Sequence, residues 1–133
     1  SAGYINPEPL QELLPYIDAA NIDIKAFSDT MYMHQCGGHL KPVLDTLLAM
    51  QKSDVHLEIT NLLIPGVNDS EKMIRKMCRW LVLNGFAQNP LHFSRFFPLY
   101  KMQDASPTPK ETIYLAKRVA LEEGMKFIYL GNI

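Results

Sequence analysis

The sequence has little cysteine, no excess of charge of either sign and no long apolar run. Its 133 residues include 2 cysteines, which excludes the disulfide framework that stabilises many small secreted domains. The formal net charge of -1 gives no electrostatic attraction to nucleic acid or to a membrane surface. No apolar segment is long enough to span a bilayer, and the N-terminal residues lack a signal-peptide pattern. These absences predict a cytoplasmic protein without a nucleic-acid or membrane partner.

Several motifs of common enzyme classes are also missing. The chain contains neither a G-x-G-x-x-G fingerprint nor a Walker P-loop, which weakens a nucleotide-binding interpretation. A G-x-S-x-G nucleophile elbow is absent too, so a complete small hydrolase or isomerase is disfavoured. A self-contained α/β module that binds a small anion without catalysis stays open as an alternative.

The hydrophobic period switches repeatedly between helical and extended along a chain long enough for one domain with a core. The alternating order predicts a parallel sheet with right-handed crossovers. Two helix starts carry strong signals: Asn68 with Glu71 forms a capping box, and Thr108-Pro109 combines a cap with a proline at the first helical position. Helices are predicted over residues 6–16, 40–52, 68–84 and 108–124, and strands over 20–27, 55–64, 91–97 and 126–130.

One face of the predicted sheet is polar. In the segment ANIDIKAF, Ile22 and Ile24 share one face, whereas Asp23 and Lys25 share the other. The next two strands alternate in the same way. A sheet covered by helices on both faces would have nearly continuous apolar strands, so a barrel with a partly polar interior fits better. Asp23 and Lys25 then point inward near the strand ends, where they either contact a ligand or pair with each other in a filled barrel.

A loop with the sequence HQCGGH follows the first strand. His34, Cys36 and His39 in this region form an H-x-C-x2-H set, and imidazole with thiolate suits zinc. Three ligands within six residues rarely complete a tetrahedral site without a fourth. We therefore expect no metal here, and a loop at the mouth of a barrel is a better candidate for contact with a substrate.

Seven motifs in order carry a family resemblance. They are GYI, NIDIKAF, YMHQCGGH, EITNLLIPGVNDSE, LHFSRFFPLYKM, TPKET and IYLGNI. Together they resemble the radical S-adenosylmethionine (SAM) enzymes of the AmmeMemoRadiSam-system type, which are similar to pyruvate formate-lyase-activating enzyme. The resemblance covers essentially the whole chain. It implies a parallel β/α barrel and an oxidoreductase that cleaves SAM reductively at a [4Fe-4S] cluster, so that a 5'-deoxyadenosyl radical abstracts hydrogen from a substrate.

The chain departs from this family at the cluster. The family binds its [4Fe-4S] cluster through a C-x3-C-x2-C loop, and Cys36 and Cys78 cannot supply three thiolates. A complete barrel takes about 250 residues. The resemblance therefore implies that residues 1–133 are a single partial domain, the C-terminal half of a TIM-like barrel without the cluster-binding half. We expect the fragment to be inactive and to hold neither SAM nor a cluster, although its parent enzyme would use both.

The resemblance also assigns roles to four residues. Asp23 and Lys25 match the family's D-x-K pair, which contacts SAM, with the lysine as a partner for its carboxylate. Thr60 stands where activating enzymes often have a cofactor-contacting arginine, and Tyr100 stands near a histidine of these enzymes. No catalytic residue and no metal ligand are assigned within this chain. The implied substrate of the parent enzyme is a protein or peptide, such as a glycyl-radical-type protein.

Half of a parallel barrel would leave one strand edge and part of its inner face uncovered. Exposed edges pair with other chains, and like surfaces can cover each other around a two-fold axis. The fragment is therefore predicted to form a homodimer. The residues expected near the uncovered surface are Leu62, Leu63, Ile64, Phe96 and Phe97.

Overall fold

Helices and strands alternate along the chain, as the changes of hydrophobic period predict. The computed structural model describes residues 1–98 and 106–133, apart from the side chains of Gln35 and Cys36. The helices are α1 (Pro7–Leu13), α2 (Asp29–Cys36), α3 (Leu40–Gln51), α4 (Glu71–Leu83) and α5 (Lys110–Glu123). The strands are β1 (Ala19–Asp23), β2 (His56–Leu63), β3 (Leu91–Arg95) and β4 (Ile128–Gly131).

A single hydrophobic core lies between the helices and one face of the sheet. Alternate strand residues such as Ile22, Ile59 and Phe93 are fully buried there. Leu47 of α3 and Ile113 of α5 belong to the same core cluster. Burial of an aliphatic side chain of this size contributes about 1.5–3 kcal/mol. The opposite face of the sheet is partly exposed, and it is called the open face below.

The strands of the described residues form one parallel sheet in the order β1-β2-β3-β4. Helices α3, α4 and α5 each connect two neighbouring strands. Parallel strands in sequential order, with helices between them and one face left open, are the arrangement of a β/α barrel wall. The predicted fold class, an α/β structure equivalent to half of a parallel β/α barrel, is confirmed.

The loop predicted around HQCGGH is wrong in part, because α2 occupies residues 29–36. Ser28 begins this helix by accepting a hydrogen bond from the Met31 N–H at 3.3 Å. Gly37 ends it in the left-handed region with φ of 68°, which glycine adopts without strain. The helix has no apolar stripe of its own, so hydrophobic periodicity could not detect it.

Both capping predictions were wrong. Ser70 is the residue that caps α4, and its hydroxyl accepts from the Met73 N–H at 3.2 Å. The cap position of α5 is Pro109, which has no side-chain hydrogen bond. Asn68 and Thr108 are instead buried, and their polar groups bond to distant backbone atoms. Both residues therefore stabilise tertiary structure rather than a helix end.

No helix among the described residues is long and apolar enough to cross a membrane.

Candidate functional site

The open face carries a row of polar side chains that crosses the whole sheet. Asp23 is paired in register with Thr60, Thr60 with His92, and His92 with Tyr129. Asn21, two residues before Asp23 on the same face of β1, accepts a hydrogen bond from the Thr60 hydroxyl at 2.7 Å. The alternation in the sequence predicted this polar face, and the tertiary structure leaves it uncovered by any described helix.

Asp23 and Lys25 lie together at the end of β1. The Lys25 ammonium is 3.4 Å from a carboxylate oxygen of Asp23, and the two side chains are 45% and 39% exposed. An ion pair with this exposure contributes about 0–1 kcal/mol to stability. The pair is therefore a weak structural element, and its ammonium and carboxylate stay accessible to a ligand.

A cavity of about 540 Å³ lies at the carboxyl ends of the strands. It brings together Asp23, Lys25 and Thr60, three of the four residues singled out from the sequence. Tyr100, the fourth, lies outside the described residues. The polar lining is completed by Ser94 and Asn132, and the apolar lining consists mainly of Met31, Leu62, Ile64 and Val67. Ligands of parallel β/α structures bind at this end of the strands.

Side chains from other elements fix the backbone beside this cavity. The Lys25 N–H donates to the Tyr32 hydroxyl at 2.9 Å. The Lys25 carbonyl accepts from the side-chain amide of Asn68 at 2.6 Å, and the Ile24 carbonyl accepts from the side-chain amide of Asn61 at 2.7 Å. Because these groups take over the hydrogen bonds of the backbone, β1 ends at Asp23 rather than at residue 27. Asn61, Asn68 and Tyr32 are positioning residues that sequence analysis did not identify.

Asn68 is the centre of this arrangement. Its amide nitrogen also donates to the Leu62 carbonyl at 2.7 Å, and its oxygen accepts from the Ile64 N–H at 2.8 Å. The side chain is 2% exposed. A single residue thus joins the ends of β1 and β2, whereas the sequence had predicted it to be a helix cap.

Two imidazoles flank Glu58, which lies two residues before Thr60 on the open face. His92 Nε2 is 2.5 Å from one carboxylate oxygen, and His56 Nε2 is 3.0 Å from the other. The hydrogen bonds from His92 and His56, in that order of effect, lower the pKa of Glu58 below its ordinary value. Glu58 is therefore an ionised acceptor at neutral pH.

His39, one member of the H-x-C-x2-H set, contacts a carboxylate of α2. The His39 ring nitrogen Nδ1 lies 3.1 and 3.2 Å from the two oxygens of the Asp29 carboxylate. The same carboxylate accepts from the Leu40 N–H at 3.1 Å, and this backbone bond is the main cause of the lowered pKa of Asp29. The side chain of Cys36 lies outside the described part of the chain, and among the described side chains no group of three or more histidine, cysteine or acidic residues could hold a metal ion.

The comparisons with known proteins support the fold more than the chemistry. No family model matches the chain. The structure is similar to a domain of pyruvate-formate lyase-activating enzyme from Bacteroides vulgatus, with a TM-score of 0.80 and 17% sequence identity over 96% of this chain and 75% of that one. The chain thus shares the fold of a domain of an activating enzyme.

In sequence, the chain is 42% identical over 131 residues to a protein of Methanocaldococcus jannaschii named "Uncharacterized protein MJ0808". The match covers 98% of this chain and 38% of that protein. The chain therefore spans well under half the length of this relative.

Proposed function

We propose that this chain is the C-terminal half of a radical SAM barrel, and that its open-face cavity forms part of the SAM site in the parent enzyme. The observation that carries the proposal is the gathering of Asp23, Lys25 and Thr60 in one cavity at the carboxyl ends of parallel strands. The parent enzyme would be an oxidoreductase similar to pyruvate formate-lyase-activating enzyme, with a protein or peptide as substrate.

The residues of the cavity fit the polar end of SAM. The Lys25 ammonium is a partner for the SAM carboxylate, and Asp23 holds this ammonium at the cavity wall. Thr60 offers a hydroxyl whose orientation is set by Asn21. When bound in the parent enzyme, SAM and its [4Fe-4S] cluster would supply the radical that abstracts hydrogen. This half of the barrel would bind and orient SAM, and by itself it would be inactive.

The cluster would be bound by a part of the parent protein outside this sequence. The greater length of the relative from Methanocaldococcus jannaschii supports the proposal. An open reading frame with a C-x3-C-x2-C segment before this sequence is the expected finding, in an enzyme of the reducing cytoplasm.

The alternative of a stand-alone anion-binding module has less support. Asp23 and Glu58 place two carboxylates on the open face beside the Lys25 ammonium, whereas SAM brings an amino group and a sulfonium of its own to such a surface. A small anion would meet more repulsion than attraction there at neutral pH.

Lys25→Met in the longer protein is expected to weaken SAM binding about 10- to 100-fold, because a charge-assisted hydrogen bond contributes about 1.5–3 kcal/mol. Calorimetric titration with SAM measures the effect. Lys41→Met is the matched control, since the Lys41 ammonium is 82% exposed and pairs with Asp45 on α3, away from the cavity. Equal affinity of the two variants would contradict the assignment of Lys25.

The 133-residue chain is still predicted to form a homodimer, with part of its sheet edge or of its open face in the contact. Leu62 and Phe97 are 38% and 51% exposed, and they provide apolar surface for such a contact. Leu63, which was expected at the same surface, is fully buried in the helix-covered core because its side chain points to the other side of the sheet. Light scattering at tens of micromolar should give twice the monomer mass of 15.2 kDa. A monomer mass at these concentrations would rule out the dimer.

A further inference from the structure

Glu58 determines which nitrogen of His92 carries a hydrogen atom. An ionised carboxylate only accepts hydrogen bonds, so the imidazole nitrogen that contacts it must donate. His92 Nε2 is the nitrogen in contact with Glu58, and His56 Nε2 contacts the other oxygen of the same carboxylate. Both rings therefore present N–H groups to Glu58. In a neutral His92 ring, the lone pair is left on Nδ1.

The ring of His92 is held in place on a second side. It stacks on Tyr129 of the neighbouring strand, with ring centroids 5.2 Å apart and planes inclined by 25°. Its side chain is 32% exposed. Within residues 1–98 and 106–133, Nδ1 has no hydrogen-bond partner. Glu58 and Tyr129 thus orient the ring, while Nδ1 contacts no described donor.

His92 also lies next to the cavity described above. It is paired in register with Thr60, and Ser94 follows it by two residues on the same face of β3. Thr60 and Ser94 both line the cavity. Asp23 and Lys25 also lie on this face, and they pair with each other at the end of β1, with β2 between them and His92. A ligand that extends from the cavity across Thr60 and Ser94 would come to His92.

We propose that Glu58 is a positioning residue that holds His92 in the Nε2–H tautomer, and that Nδ1 of His92 is the hydrogen-bond and proton acceptor which the open face offers to a ligand. The matching ligand group is a donor: a hydroxyl, an amide N–H or an ammonium. The inference rests on the proposed function only for the presence of a ligand in the cavity.

The first test observes the tautomer directly in the ligand-free 133-residue chain. With histidine labelled with nitrogen-15, NMR is expected to show the neutral ring of His92 with hydrogen on Nε2 and a bare Nδ1. Glu58→Gln keeps the shape but removes the obligate acceptor, so His92 should exchange between both tautomers. Glu12→Gln, an exposed change on α1, is the control and should leave the His92 signals unchanged. Hydrogen on Nδ1 of the neutral His92 ring in the unmodified chain would overturn the proposal. Equal His92 spectra of the Glu58→Gln and Glu12→Gln chains would overturn it too.

The second test asks whether the lone pair is accessible. Diethyl pyrocarbonate acylates unprotonated imidazole nitrogens, and His92 should react at Nδ1, as located by NMR and mass spectrometry. His92→Leu removes this product, and because leucine cannot donate to Glu58, it should also raise the pKa of Glu58 towards its ordinary value. An unreactive His92 would contradict the proposal, whichever way the SAM titration of the longer protein turns out. Equal SAM affinity of the Lys25→Met and Lys41→Met proteins would count against the proposed function and not against the tautomer.

Discussion

Asn68→Ala is expected to lower the free energy of unfolding by roughly 3 kcal/mol. The buried side chain makes three hydrogen bonds, and their loss leaves three backbone groups without a hydrogen-bond partner. The partners are the carbonyls of Lys25 and Leu62 and the N–H of Ile64. Because these groups belong to the ends of β1 and β2, the turn after β2 would also separate from the Lys25 backbone. Urea unfolding followed by circular dichroism gives the change in stability.

The matched control for Asn68 is Asp69→Ala in the same turn. Asp69 makes one hydrogen bond, from the Gly66 N–H at 3.0 Å, and it lies nearer to solvent. Its loss should cost no more than about 1 kcal/mol. If both variants lost the same stability, Asn68 would be an ordinary turn residue and its role in positioning Lys25 would be refuted.

Thr108→Val is expected to cost about 2–3 kcal/mol, because a residue of nearly the same shape replaces the buried hydroxyl and leaves its backbone partners unpaired. Thr108 is fully buried. Its hydroxyl donates to the Leu63 carbonyl at 2.5 Å and accepts from the Phe96 N–H at 3.0 Å. It therefore connects the ends of β2 and β3 directly before α5.

Thr112→Val is the control for this change. Thr112 lies on α5 and is partly exposed, so the same substitution should change stability by no more than about 0.5 kcal/mol. Thr108→Ser, which keeps the hydroxyl, should recover most of the loss. Similar unfolding midpoints for the two valine variants would show that the Thr108 hydroxyl contributes little.

Hydrophobic periodicity predicted much of this fold because it reports a local property. A period near 3.6 or 2 follows from the geometry of each element and needs no knowledge of its neighbours. The alternation in ANIDIKAF therefore predicted that Ile22 and Ile24 are buried and that Asp23 and Lys25 lie on the other face. The order of helices and strands predicted the parallel sheet in the same way. The contact of Asp23, Lys25 and Thr60 with SAM stays a prediction, as does that of Tyr100.

Only the tertiary structure decided where the strands end and how the side chains of the site are paired. Asn68 bonds to a carbonyl 43 residues away, and Thr108 to one 45 residues away. Glu58 meets His92 across 34 residues. In the sequence, Asn68 and Thr108 have an adequate local explanation as helix caps. The local pattern determined which face each side chain occupies, whereas partners brought together by the packed sheet determined what its polar atoms bond to.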